Sequence, residues 1–220
     1  MINQTTLNFL KELAANNNRD WFLANKQAYD AAKANTVAVV AQICTQIAQQ
    51  FDPSIATVRP EKTLFRQNRD IRFSKDKSPY KINFGAHIIE DKHNETKAGY
   101  YLHIEPNDKS FLGGGMYQPS AAVLKSIRQE IDYHTDEFRK IISNPDFVQQ
   151  FGSLNGRQLK TAPKDYDKTH SAIDLLRFQD YVVGRNFTDK QLIQPDFIAQ
   201  TVAAFAALKP FNDFLNKAVS

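Results

Sequence analysis

With 220 residues, 42% of them hydrophobic and 24% charged, and a formal net charge of +4, the chain falls among folded globular proteins able to bury a substantial core. Its longest apolar run is far short of the ~20 residues that cross a bilayer. The opening MINQTTLNFLKEL has acids and amides where a signal peptide has a basic start and an apolar core. These features exclude a membrane-spanning class and lead us to expect a cytoplasmic protein with no membrane partner. The single cysteine, Cys44, lies in an apolar helical pattern and reads as a buried small hydrophobe.

In chain order, Thr5 or Thr6 is predicted to cap a first helix with Phe9, Leu10 and Leu13 on one face, ended by Asn16–Asn18. A second helix starts near Asn18 and carries Trp21, Phe22, Lys26 and Tyr29, one of the two adjacent aromatics packing inward. A third runs from about Thr36 to Gln50 with Val37, Val40, Cys44 and Ile47 at helical spacing. The period then changes to two. Strands are expected over Ile82–Ile89, Gly99–Glu105 and Lys109–Gly113, joined by the charged loop Glu90–Lys97 and the turn Pro106-Asn107-Asp108, which makes an antiparallel meander. Gly113-Gly114-Gly115 is read as the end of the third strand.

A helix with Pro119 in its first turn follows, then a helix over Asp136–Ile142 and another capped by Asn144 before Pro145. Gly152 to His170 reads as loop, Phe178–Phe187 as a further strand, and Pro195–Leu208 as a closing helix continued after Pro210. The class is α+β, with a central, mostly antiparallel sheet between N-terminal and C-terminal helices. No linker composition divides residues 1–220, so one domain is expected.

Charge is concentrated in Arg59–Lys81, RPEKTLFRQNRDIRFSKDKSPYK. Eight Lys or Arg stand there against three acids, a local +5 that exceeds the +4 of the whole chain. Within it, Leu64–Phe73 alternates as a strand would, with Arg66, Asn68, Asp70 and Arg72 on one face, so that Asp70 sits between two guanidinium groups. Ser74–Pro79 has turn composition and carries Lys75 and Lys77. The candidate site residues are Arg66, Arg69, Asp70, Arg72, Lys75, Lys77, Tyr80 and Lys81. His103 joins them from a neighbouring strand, and Gly113, Gly114 and Gly115 join them as an anion nest.

Four readings of this cluster follow. The first is binding, with or without turnover, of a small phosphate-bearing anion between the Arg69–Lys81 segment and the glycine turn. The second is a nucleic-acid partner along the same basic surface, although no basic tail, helix-turn-helix, zinc-finger spacing or RNA-recognition signature accompanies it. The third is a metal-assisted hydrolase using His87 or His103 with Glu105, or with Asp91 and His93. No HExxH or HxH motif supports it, and no metal ligand is assigned. The fourth is a structural Arg–Asp network without a ligand. No cofactor motif is present, and nothing in the sequence bears on oligomeric state.

Four blocks, NNNRDWF at Asn16–Phe22, FRQNRDIRFSKDKSPYK at Phe65–Lys81, GYYLHIEP at Gly99–Pro106 and GGGMYQP at Gly113–Pro119, together resemble the domain-of-unknown-function family 2461. A later segment, Leu159–Tyr166, is similar to that family's "L...P.GY" region, with Asp165 where a glycine is common. The resemblance implies a single mixed α and β domain in the cytoplasm, and it carries over no activity, substrate, cofactor or catalytic residue.

Overall fold

A computed structural model describes residues 1–90 and 97–220, so Asp91 and His93, named above as metal companions, lie outside the described residues. The first helix, α1 (Gln4–Ala15), buries Leu7, Phe9, Leu10 and Leu13. Its start is set from a distance. Asn35 Oδ1 accepts from the Asn3 backbone N–H at 2.8 Å and the Thr6 hydroxyl at 2.9 Å, which makes Asn3 the cap position in place of Thr5 or Thr6. The second, α2 (Arg19–Ala24), begins as expected, with Asn18 Oδ1 accepting from the Trp21 N–H at 2.9 Å.

The third helix, α3 (Lys26–Gln50), is 25 residues long and takes over Lys26 and Tyr29 from the predicted second one. Its first ten residues, KQAYDAAKAN, carry little apolar periodicity but are dominated by strong helix formers, so propensity extends the helix where the pattern is silent. A 3-10 turn (Pro53–Thr57) and the short α4 (Pro60–Thr63) then lead to the basic segment.

Four strands, β1 (Phe84–Ile88), β2 (Gly99–Ile104), β3 (Ser110–Met116) and β4 (Tyr181–Phe187), form one antiparallel sheet in the order β1-β2-β3-β4. The turn from β2 to β3 places Asn107 and Asp108 at φ 67° and 60°, a region that Asn and Asp tolerate. The Asp189 carboxylate accepts both of their backbone N–H groups at 3.1 Å and pairs with Lys11 at 2.9 Å.

Between β3 and β4 lie α5 (Ala121–Tyr133), α6 (Thr135–Ile142), α7 (Pro145–Phe151) and α8 (Ile173–Leu176). Ser120 caps α5, so Pro119 precedes the cap and is not in the first turn. The chain closes with α9 (Asp189–Leu192) and α10 (Phe197–Lys217). The latter runs unbroken through Pro210, held by buried Phe205, Leu208, Phe211, Phe214 and Leu215 on either side. The fold is thus α+β, with N-terminal and C-terminal helices flanking a central antiparallel sheet.

The chain divides into two compact units. The first comprises Met1–Glu90, Tyr101–Leu112 and Asn186–Val202, and the second Asp91–Tyr100, Gly113–Arg185 and Ala203–Ser220. The first packs Leu7, Leu10 and Leu13 of α1 with Val40, Ile43 and Ile47 of α3, all fully buried. The second is centred on aromatic rings, among them Phe138, Phe147 and Phe211 at centroid separations of 5.6 to 5.9 Å. In it, Asp165 is not among the residues with positive φ, so an aspartate stands there without backbone strain.

Gly113–Gly115 lie inside β3 and do not end it. A Cβ on Gly113 would run into the Val183 carbonyl, and one on Gly114 into the Gly99 carbonyl. These hydrogens let strand backbones approach closely. Because the obstruction is backbone, Gly113→Ala is expected to destabilise the protein by about 1–3 kcal/mol. This would be read as a lower urea midpoint at unchanged slope. An unchanged midpoint would show that the strands give way.

Candidate functional site

The basic segment folds back on the chain that follows it. Leu64 bridges Ala86 and Asn68 bridges Tyr80, both antiparallel, while the Phe65, Arg69 and Lys81 N–H groups donate to the Gly85, Pro79 and Gln67 carbonyls at 2.9, 2.9 and 2.8 Å. Between these pairings the register slips, so that Ile82, Asn83 and Phe84 stand opposite Arg66 alone. That bulge replaces the regular strand predicted over Leu64–Phe73. The buried Gln67 side chain fills the gap, donating to the Lys81 carbonyl and, at 3.5 Å, to that of Asn83.

Beyond Asn68 the chain turns onto its own side chains. Arg69 Nη1 donates to Asp76 Oδ2 at 2.6 Å and the Ser78 carbonyl at 2.9 Å, and Nη2 to Ser74 Oγ at 3.4 Å. Asp76 Oδ1 in turn accepts the Ser78 N–H and hydroxyl. These Ser78 hydrogen bonds, followed by the one from Arg69, hold the Asp76 carboxyl down at about 2. Arg72 makes a two-pronged pair with Asp70 at 3.0 and 2.7 Å, and Lys77 Nζ donates to the Ile71 carbonyl at 3.0 Å. Asp70 therefore forks onto Arg72 alone; the Arg72 hydrogen bonds, and after them the charge of Arg66, hold its carboxyl below the ordinary range.

The hairpin is fixed to the helices at Tyr80. Asn17 Nδ2 donates to the Tyr80 carbonyl at 2.9 Å, and Asn17 Oδ1 accepts the Tyr80 N–H at 3.0 Å. The Phe22 ring stacks on that of Tyr80 with centroids 4.0 Å apart. Phe22 is the inward member of the Trp21–Phe22 pair, and Tyr80 is buried as an anchor.

Beside the hairpin is a shallow depression of about 520 Å³, open to solvent, whose lining includes Arg69, Asp70 and Lys81 with Phe65 and Asn83. Tyr101 and His103 complete it. On alternate positions of β2, the Tyr101 hydroxyl lies 3.1 Å from His103 Nδ1, and His103 Nε2 lies 3.0 Å from Glu105 Oε2. With the Nε2 proton given to Glu105, Nδ1 is the acceptor for the Tyr101 hydroxyl, so the three form one directed line. Phe111 stacks on the imidazole at 4.7 Å. Burial, with the Glu105 charge adding to it, pushes the Tyr101 phenol up to about 12. Gly85 leaves room for this hydroxyl, since a Cβ there would stand 2.5 Å from it.

Lys81 Nζ lies 5.1 Å from the Phe65 ring centroid. Burial and then the charge of Arg66 hold its ammonium below the ordinary lysine range. Among the described residues, no ion pair or side-chain hydrogen bond closes Lys81, Arg66 or Lys75, although the charge of Arg66 reaches Asp70. The predicted cluster thus separates. Arg69, Asp70, Lys81 and His103 meet at the depression, with Arg66 outside its lining; Arg72, Lys75 and Lys77 belong to the loop; Tyr80 is an anchor; Gly113–Gly115 are not in the lining. Phe65 and Asn83 are not among the candidates, whereas Tyr101, as a hydroxyl beside the basic groups, is a companion the sequence offers, and Tyr, His and Glu at 101, 103 and 105 announce a polar strand face by their period of two. Among the described residues, no group of three or more His, Cys, Asp or Glu side chains is placed to hold a metal.

The family described as Conserved hypothetical protein (DUF2461) matches residues 5–214, and the chain belongs to it. No curated protein and no solved structure matches the chain.

Because the folded carboxyl is depressed, the bracing by Asp76 is fully present above pH ~3.8 and lost as pH falls through about 2. The Ser78 amide proton shift is expected to report the Asp76 titration by NMR with a midpoint of about 2, and a midpoint of 3.8 would contradict the bracing. At neutral pH, Asp76→Asn is expected to open Lys75 and Lys77 to trypsin.

Proposed function

We propose that the depression binds a small phosphate-bearing anion, with Lys81 and Arg66 as its charge partners and Asn83 and Tyr101 as hydrogen-bonding neighbours. The observation that carries this reading is the Lys81 ammonium, which lines the depression within reach of the Arg66 charge and makes no ion pair with an acid among the described residues. Two like charges held together repel, and an anion entering between them relieves the repulsion. A unit charge 4 Å from another interacts by ~4 kcal/mol at an effective dielectric constant of about 20. Arg69 and Arg72 are closed onto Asp76 and Asp70, so the anion meets Lys81 first.

The Tyr101–His103–Glu105 line favours turnover in addition to binding, because it supplies a route for a proton between a bound ester and a half-buried carboxylate. A cytoplasmic setting goes with this reading. It is supported by the free, buried Cys44, whose thiol burial pushes up to about 12, and by the absence among the described residues of a helix long and apolar enough to cross a membrane.

Thermal unfolding at low salt with inorganic phosphate provides the test. The wild-type melting temperature is expected to rise with phosphate, by an amount equivalent to ~2.7 kcal/mol when phosphate is about 100 times its Kd. Lys81→Met, which keeps the apolar stem over Phe65, should lose the rise, and Arg72→Ala should keep it. The opposite pattern, or no rise in the wild type, would overturn the assignment.

A further inference from the structure

Phe73 is 96% exposed, more than any other large apolar side chain among the described residues. It stands at the tip of a loop that is braced internally by Arg69–Asp76, Arg72–Asp70, the Lys77 contact with the Ile71 carbonyl and the Asp76 contacts with Ser78. The loop's acids are thus consumed in fixing its shape, while its most hydrophobic side chain is left in water. The Arg72 guanidinium lies 5.8 Å from the Phe73 ring centroid, and Lys75 and Lys77 follow within four residues.

The segment Arg66–Lys81 carries six basic and two acidic residues, a balance equal to the +4 of the whole chain. A partner for it must present a flat face for the ring and negative charge a few ångströms away. Every nucleotide of a single strand does both, and one aromatic side chain among cations is how such strands are held without sequence preference. An anionic membrane fits less well, because Phe73 has a charged and a polar neighbour, Arg72 and Ser74, in place of a second exposed apolar group. The loop is also continuous with the depression, since Asp70 lines the depression and holds Arg72 beside the Phe73 ring.

We propose that the phosphate-bearing ligand is a single-stranded nucleic acid, with one phosphate at Lys81 and Arg66 and a neighbouring base stacked on Phe73. This rests on the anion reading given above. Phe73→Trp in the full chain provides the reporter, with the wild type, whose one tryptophan is Trp21, as background.

The probe is an oligothymidylate of about ten nucleotides, within the ~4–16 that compact single-strand sites cover. Quenching of the new fluorescence is expected. Phe73→Ala should weaken binding by roughly 5- to 150-fold, and Lys75→Ala should reduce the log–log salt slope by about 0.7. Absence of quenching at low salt, or equal binding by Phe73→Ala, would overturn the proposal. So would a blue shift with phosphatidylserine vesicles and none of the expected response to the oligonucleotide. If inorganic phosphate still raises the melting temperature in that event, only the nucleic-acid assignment falls; if it does not, the anion site falls with it.

Discussion

The clamp on Tyr80 is the constraint on which the basic hairpin depends. One side-chain amide, Asn17, satisfies both backbone groups of a residue 63 positions away, and one ring, Phe22, covers its side chain. Those backbone groups are partly buried, and leaving them unpaired would cost roughly 1–3 kcal/mol each. The hairpin has little else of regular form, since its pairing is broken by the bulge opposite Arg66. Lys81 follows the clamped residue directly, and Arg69 is tied to Pro79 just before it. The positions of both cations at the depression are therefore set by a contact made on the helical side of the unit.

The cations themselves divide according to their chemistry. Arg69 meets a carboxylate, a backbone carbonyl and a hydroxyl from one planar head, a task suited to guanidinium geometry. Arg72 forks onto Asp70 in the same way, although that pair is exposed and contributes more to shape than to stability. Lys81 has one compact charge beside a ring, and Arg66 makes no ion pair, its charge reaching Asp70 without a hydrogen bond. A net positive segment can thus contain a structural network and an uncompensated pair together, because the two acids are taken up by two of the arginines.

Much of the architecture is legible as local pattern. The strands, the face of α1, the Asn18 and Asn144 caps and the α+β class all follow from periodicity and capping chemistry. The extra length of α3 lay in propensity without periodicity. The alternation over Leu64–Phe73 looks like a strand, but its pairing depends on a partner segment whose bulge no local pattern records, and its one acid, Asp70, accepts the Arg72 N–H and turns the chain before Phe73. The glycines of β3 read as a terminus because their reason is the backbone of neighbouring strands. The site was only half legible for the same cause: Asn17 with Tyr80, and Lys81 with Tyr101, are brought together by tertiary packing. The line from Tyr101 to Glu105 could have been read, since residues two apart on a strand share a face.

The central claim is that paired cations build the hairpin while Lys81 and Arg66 are left for an anion. Titrating the 15N-labelled protein with inorganic phosphate and following its backbone amides tests that division most directly. Lys81, Asn83, Tyr101 and His103 should move in a saturable manner while Arg72 to Lys77 stay in place. Shifts confined to Arg72 to Lys77, or none at all, would contradict the account.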